Sequence, residues 1–265
     1  AKGLREAGYE VEEVDVRDCE LLLPAGIEAV FVALHGDYGE DGVVQRQLEE
    51  RGIPFTGSSS RSSSRTFDKI ISKQLFVRER IATPDYEVLG PGGRRTMPLP
   101  VVVKPVRQGS SIGVHRVFDE SEWPAAFEES LGYEGQVLVE AFIPGRELTI
   151  GIVGDQVLPM IEIRAPEGYY DYKAKYTAGV TEYLVPAPVD AEATLLCQDL
   201  ARRTFKALEG RGMGRVDLRM TGDGRAYVLE LNSIPGFTET SLLPKAARAA
   251  GIGFPELCER ILNLA

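Results

Sequence analysis

Cysteine is scarce in this 265-residue chain: Cys19, Cys197 and Cys258 stand alone and far apart. An odd, widely spaced set excludes a disulfide framework and points to a reducing compartment. Positive charge is also short. Thirty Lys and Arg face forty Asp and Glu, for a net charge of −10. That balance excludes the basic stripe of a nucleic-acid surface, while a small phosphate ligand needs only a few local cations. Lysine is the rarer cation, eight against 22 arginines, so Lys69, Lys104 and Lys175, each beside a loop signal, stand out. No apolar run is long enough to cross a membrane, and no stretch reads as a secretion signal. A cytoplasmic location with no membrane partner is the expectation. What remains is 43% apolar and 26% charged, the composition of a globular protein of one large or two to three small domains.

The amino-terminal part reads as α/β. Residues 1–7 read as a helix end stopped by Gly8, and residues 9–16 alternate as a strand. Residues 29–34 form an apolar run typical of a buried parallel strand, with the loop His35-Gly-Asp-Tyr-Gly-Glu-Asp-Gly42 at its carboxyl end, where α/β sheets gather ligands. His35 fits a ligand contact and equally a loop that caps the helix expected over 43–51. Residues 53–57 suggest another short strand. Residues 58–66 read as a loop plus a first turn, leading into one amphipathic helix over 67–80. A strand ending at Lys104 runs into Gln108-Gly-Ser-Ser-Ile-Gly113, and a strand resumes at 114–118. Such a loop can aim backbone N–H groups at phosphate oxygens, although it has neither the GK[ST] nor the GxGxxG pattern. A helix is expected over 121–130 with Ser121 as its cap, a strand over 136–143 and a hairpin of 147–153 with 156–163. Glu140 interrupts an apolar strand, which is costly unless the carboxylate is bonded, to a ligand donor or to a nearby Arg. Residues 165–180 carry four tyrosines with little periodicity. They suit either a lid or an exposed excursion pinned by aromatic packing. Helices are expected over 195–208, 244–250 and 254–264.

The stretch from Arg215 to Leu243 organises the rest. Two alternating runs flank Thr221-Gly-Asp-Gly224, a hairpin signal. Pairing Met220 with Arg225 sets Asp217 opposite Val228 and Arg215 opposite Glu230. Arg215, Asp217, Glu230 and Asn232 then share one face, and Val216, Leu218, Tyr227, Leu229 and Leu231 the core face. In that register Asp217 and Glu230 are diagonal neighbours. Two carboxylates and an amide so placed can converge on hard, oxygen-bound cations. A loop one residue longer would scatter the acids to both faces.

These pieces, in their order and spacing, resemble the ATP-grasp ligases, and within them the D-alanine–D-alanine ligase family. The matching stretches are HGDYGEDG at 35–42, FDK at 67–69, VVVKPVRQGSSIGV at 101–114, VLVEAFIPGRELT at 137–149, YYDYKAKY at 169–176, GRVDL at 214–218 and ELNSIPGFTETSLLP at 230–244. The resemblance implies an ATP-grasp α/β fold of three α/β subdomains, at 1–57, 58–144 and 145–265. The first would be Rossmann-like and lack its first strand; the last would carry the 165–180 lid. It further implies that Lys69, Lys104 and Ser111 meet ATP phosphates, and that Lys175 reaches the γ-phosphate. Glu140, Ala141 and Ile143 would read the adenine and Glu147 the ribose. Asp217, Glu230 and Asn232 would hold two Mg²⁺ ions, Mn²⁺ being an alternative. His35 and Tyr170 would contact the first D-alanine, and Ser241 and Leu242 the carboxylate of the second.

The implied activity is ATP-dependent joining of two D-alanines through an acyl phosphate, for peptidoglycan precursors. Arg215 and the Gly236 N–H would stabilise the oxyanion, and Tyr176 bonded to Ser110 would lock the lid. Another carboxylate–amine ligase, or a non-catalytic nucleotide-binding module, are the competing expectations. A homodimer is implied by resemblance only. The family's first strand, its Gly-rich turn and a glutamate that binds the first substrate have no counterpart in these residues, so impaired activity is expected of this stretch alone.

Overall fold

The computed structural model describes residues 1–16, 19–165 and 181–265. Two antiparallel sheets carry the architecture. The first orders β1 (Tyr86–Leu89), β4 (Val137–Ala141), β2 (Val101–Pro105) and β3 (His115–Val117). The second runs β10 (Ala226–Asn232), β9 (Met213–Met220), β5 (Arg146–Val153), β7 (Ile161–Arg164), β8 (Glu182–Leu184), with β6 (Gln156–Val157) attached to β5. Helices cover the sheets: α1 (Lys2–Glu6), α2 (Val43–Glu50), α3 (Ser60–Phe67), α4 (Lys69–Arg78), α5 (Trp123–Glu134), α6 (Ala191–Ala207), α7 (Leu242–Ala249) and α8 (Phe254–Leu262).

The largest core sits between the second sheet and helices α4 and α6. There Leu148, Ile150, Val216, Leu218 and Val228 meet Phe76, Cys197 and Leu200. Alternation explains it: along β5 Leu148, Ile150 and Ile152 are apolar and buried on one face, while Glu147, Thr149 and Gly151 occupy the other. The opposite end packs on α7 and α8 through Leu243, Leu257 and Ile261. The first sheet has its own core of Val101, Val103, Val137 and Val139 under Phe127. Among the described residues no helix is long and apolar enough to cross a membrane.

Several expectations need correction. The single helix over 67–80 is two helices, because Asp68 is extended and its carboxylate caps α4 by accepting from Ile71 N–H at 3.0 Å. The Ser/Arg run at 60–67 is itself helical, capped by Ser59. Helix α5 starts at Trp123 behind Glu122, not at Ser121. Residues 9–16 and 29–34 form no named strand. Neither alternation nor an apolar run makes a strand without a partner backbone, and at 29–34 the pairing is an isolated parallel bridge, Val30 with Phe55. Arg5 takes the Val11 carbonyl instead.

Candidate active site

The hairpin of β9 and β10 does what the sequence suggested, by a different device. Met220 pairs with Ala226, not Arg225, so the connection is one residue longer than expected. Ala226 and Val228 therefore join Met220 and Leu218 in the core. Uninterrupted alternation would bury Glu230 and Asn232 beside them. A β-bulge at Leu229 prevents this: Val228 faces Leu218, yet Glu230 faces Asp217, and Asn232 faces Arg215. Tyr227 and Leu229 consequently leave the core face and are only half-buried, while Leu231 stays in it opposite Val216. Asp217 and Glu230 are direct rather than diagonal partners.

Around them lies a cleft of about 840 Å³ between the two sheets, within the size range of small-molecule sites. Its walls include Lys69, Lys104, Ser110, Ser111, Glu140, Ala141, Ile143, Glu147, Arg215, Asp217, Glu230, Asn232, Gly236, Ser241, Leu242 and His35. Sequence reasoning thus gathered residues from six separate stretches that the fold brings to one cavity. Tyr170, Lys175 and Tyr176, with the lid, lie outside the described residues.

On the carboxylate side, Asp217 accepts from Arg215 through Nε and Nη2, both at 3.0 Å, from Thr149 Oγ1 at 2.5 Å and from Asn232 Nδ2 at 2.9 Å. Asp217, Glu230 and Asn232 give a set of hard oxygen donors without sulfur or imidazole, which fits Mg²⁺ or Mn²⁺. Only two of the three are acids, and among the described residues no group of three His, Cys, Asp or Glu could hold a metal. The fit therefore rests on the facing pair and the amide beside it.

On the opposite wall, Glu140 is buried and its carboxylate meets Lys73 on one oxygen and Lys104 on the other. Burial alone would favour the protonated acid. The two ammonium groups overrule it and hold Glu140 at about 2. Burial pulls Lys73 and Lys69 below the ordinary lysine value, against the raising influence of Glu140 on the first and Glu230 on the second. Lys69 Nζ donates to the Gln108 carbonyl at 2.6 Å, fixing the base of the Gly/Ser loop. Ser110 and Ser111 in that loop are left-handed, with φ of 54° and 60°. Two consecutive non-glycine residues there are a strained arrangement of the kind found at ligand-gripping turns.

Further along, Arg219 donates to the Glu147 carboxylate at 3.0 Å and to the carbonyls of Ile143 and Gly145 at 3.2 and 3.0 Å. It stiffens the segment expected to read adenine and ribose. The Ala141 N–H goes to the Asp85 carbonyl. Ser241 stands at the entry to α7 without capping it through its side chain, and its hydroxyl accepts from Thr238 N–H at 3.0 Å instead. His35 is exposed at the rim, 3.8 Å from Glu40. Sequence reasoning passed over Thr149 and Arg219. Strand alternation exposes both: Thr149 shares a face with Glu147, and Arg219 with Arg215 and Asp217. Lys73 and Thr83 carried no local signal.

Two sheets closing on a cleft with lysines, a left-handed Ser/Gly loop and facing carboxylates define an ATP-grasp enzyme. Comparison with known proteins agrees. The family described as "D-ala D-ala ligase C-terminus" matches residues 84–263. The D-alanine–D-alanine ligase of Methylacidiphilum infernorum is 46% identical over 261 residues, covering 98% of this chain and 86% of that protein. That of Syntrophotalea carbinolica is 47% identical over 267 residues, covering 99% and 87%. The crystal structure of the Bacillus anthracis ligase complexed with ATP superposes with a TM-score of 0.78 at 35% identity, over 89% of this chain and 78% of that one. This chain belongs to the D-alanine–D-alanine ligase family.

Proposed function

We propose that the protein joins two D-alanine molecules at the expense of ATP, releasing ADP and phosphate, for cell-wall precursor synthesis. The observation that carries the reading is the bulged hairpin, which turns Glu230 and Asn232 toward Asp217 in a cleft that also holds Lys69, Lys104 and Arg215.

The residues divide the chemistry as follows. Glu147, braced by Arg219, accepts from the ribose hydroxyls. The Ile143 carbonyl is engaged by Arg219, so that position offers the base edge its N–H. Lys69, Lys104 and the backbone of the Ser110–Ser111 turn neutralise the phosphates, since phosphoryl transfer is mostly positioning and charge compensation. Asp217, Glu230 and Asn232 hold two Mg²⁺ or Mn²⁺ ions, which when bound neutralise and orient the terminal phosphates. A free carboxylate resists attack by an amine; the first D-alanine, held near His35 and Tyr170, gains a leaving group when its carboxylate becomes an acyl phosphate. The second D-alanine is anchored by its carboxylate at Ser241 and the Leu242 N–H, at the start of α7. Its amine attacks, and Arg215 with the Gly236 N–H meets the oxyanion. Lys175 reaches the γ-phosphate, while Tyr176 and Ser110 close the lid and keep water from the acyl phosphate. The reading includes a cytoplasmic homodimer with no nucleic-acid or membrane partner. Residues 1–57, 58–144 and 145–265 act as its three subdomains.

A second reading keeps the chemistry and changes the acceptor. It is favoured by the likeness to the VanG D-Ala:D-Ser ligase of Enterococcus faecalis, with a TM-score of 0.80 at 33% identity. Phosphate release from ATP separates the two. Release that needs D-alanine alone supports the first, release that needs D-serine as well supports the second, and nucleotide binding without release under either condition contradicts both.

A further inference from the structure

The bulge that delivers Glu230 lies on an edge strand, since β10 ends its sheet. Edge positions expose backbone groups that no neighbouring strand satisfies. At Val228, the last residue before the bulge, both outward groups are taken by one short segment. The Val228 N–H donates to the Ala82 carbonyl at 2.8 Å, and the Val228 carbonyl accepts from Thr83 Oγ1 at 2.7 Å. Thr83 is in turn fixed from behind, because Lys73 Nζ donates to its hydroxyl oxygen at 2.5 Å. Lys73 is 1% exposed, and its ammonium also meets the Glu140 carboxylate.

A continuous polar chain therefore runs from Glu140 in the first sheet, through Lys73 on α4 and the Thr83 hydroxyl, to the backbone at the bulge in the second. An ammonium group buried this deeply is costly, and a core of helix, sheet and sheet does not by itself require one. What it supplies is three donors on one atom, enough to bridge a carboxylate and a hydroxyl that belong to different walls of the cleft.

We infer that Thr83, held by Lys73, is a positioning residue for the divalent-metal site: it fixes the Val228 bulge that turns Glu230 and Asn232 into the cleft, and ties that bulge to Glu140 on the nucleotide wall. The inference deepens the ligase reading and rests on its metal assignment. Neither residue touches substrate; both act through the hairpin.

The test is a titration of Mn²⁺ into the full protein with saturating ADP, reading bound Mn²⁺ by its paramagnetic signal, with melting curves alongside. Thr83→Val removes the hydroxyl and keeps the shape. It is expected to weaken Mn²⁺ binding by about tenfold, the scale for losing a group that orients a metal ligand. Thr83→Ser, which keeps the hydroxyl, is expected to bind as the parent does. Thr83→Ala and Lys73→Met, read the same way, serve where Thr83→Val melts below the assay temperature. A folded Thr83→Val or Thr83→Ala protein with Mn²⁺ affinity within about twofold of the parent overturns the inference. Glu230→Gln separates the two levels. If it binds Mn²⁺ as the parent does, the metal assignment fails and the inference with it. If it binds weakly while the Thr83 variants do not, only the inference fails.

Discussion

Glu140 stays ionised in a buried setting because Lys73 and Lys104 each meet one of its oxygens. Its carboxyl sits at about 2 against the usual 4.5. The native state thus binds this proton less readily than the unfolded chain. The stabilisation is whole above about pH 4.5 and is lost as the pH falls toward about 2. Glu140→Gln leaves the buried Lys73 ammonium and the partly buried one of Lys104 without their carboxylate. The expected loss is about 3–5 kcal/mol in urea unfolding at neutral pH, with a shallower acid limb than the parent's. An acid-unfolding profile identical to the parent's would remove Glu140 from this role. The apolar strand around Glu140 announced in the sequence that its carboxylate needs a partner. It did not announce which, because Lys73 and Lys104 reach it from a helix and a strand far apart in the chain.

Among the elements, the turn into β5 depends on Gly145, at φ 119°, where a Cβ would stand 2.1 Å from the Met220 carbonyl oxygen. Gly145→Ala should cost about 1–3 kcal/mol of stability for the strained backbone, with a rise in the ATP KM as the neighbouring Ile143 and Glu147 shift. A melting temperature and KM equal to the parent's would contradict this. The hairpin shows where reading a sequence stops. Alternation placed Arg215, Asp217, Glu230 and Asn232 together, and they are together. The five-residue connection and the bulge that restores the pattern were hidden. They are set by which side chains fill the core under β9 and by the clamp from residues 82–83, both remote in sequence. The break between α3 and α4 was within reach: Asp68 is a cap residue, and the apolar stripe running through it masked the signal. The strands expected at 9–16 and 29–34 were read from pattern alone, and pattern does not supply a partner.

For the molecule as a whole, the few cysteines report on compactness. Cys197 and Cys258 are buried, and burial pushes each thiol up to about 11; Cys19 is exposed. One thiol should react rapidly with a thiol reagent at neutral pH in the native protein, and three in denaturant. Three fast thiols without denaturant would mean that the cores under α6 and α8 are open. The walls of the cleft are tied by polar contacts, Arg219 to the Ile143 carbonyl and Lys73 between Glu140 and Thr83, while each sheet keeps its own apolar core.

The central claim is that the bulged hairpin brings Glu230 and Asp217 face to face in the cleft, as the carboxylates that would hold divalent ions and so supply charge compensation to the phosphates. Glu230→Gln removes one charge and almost no volume, so its melting curve should match the parent's. D-alanine-dependent phosphate release from ATP should fall by about 10²–10³-fold, as when electrostatic stabilisation at a transferring group is lost. A folded Glu230→Gln protein that releases phosphate at a rate within about tenfold of the parent's would contradict the account.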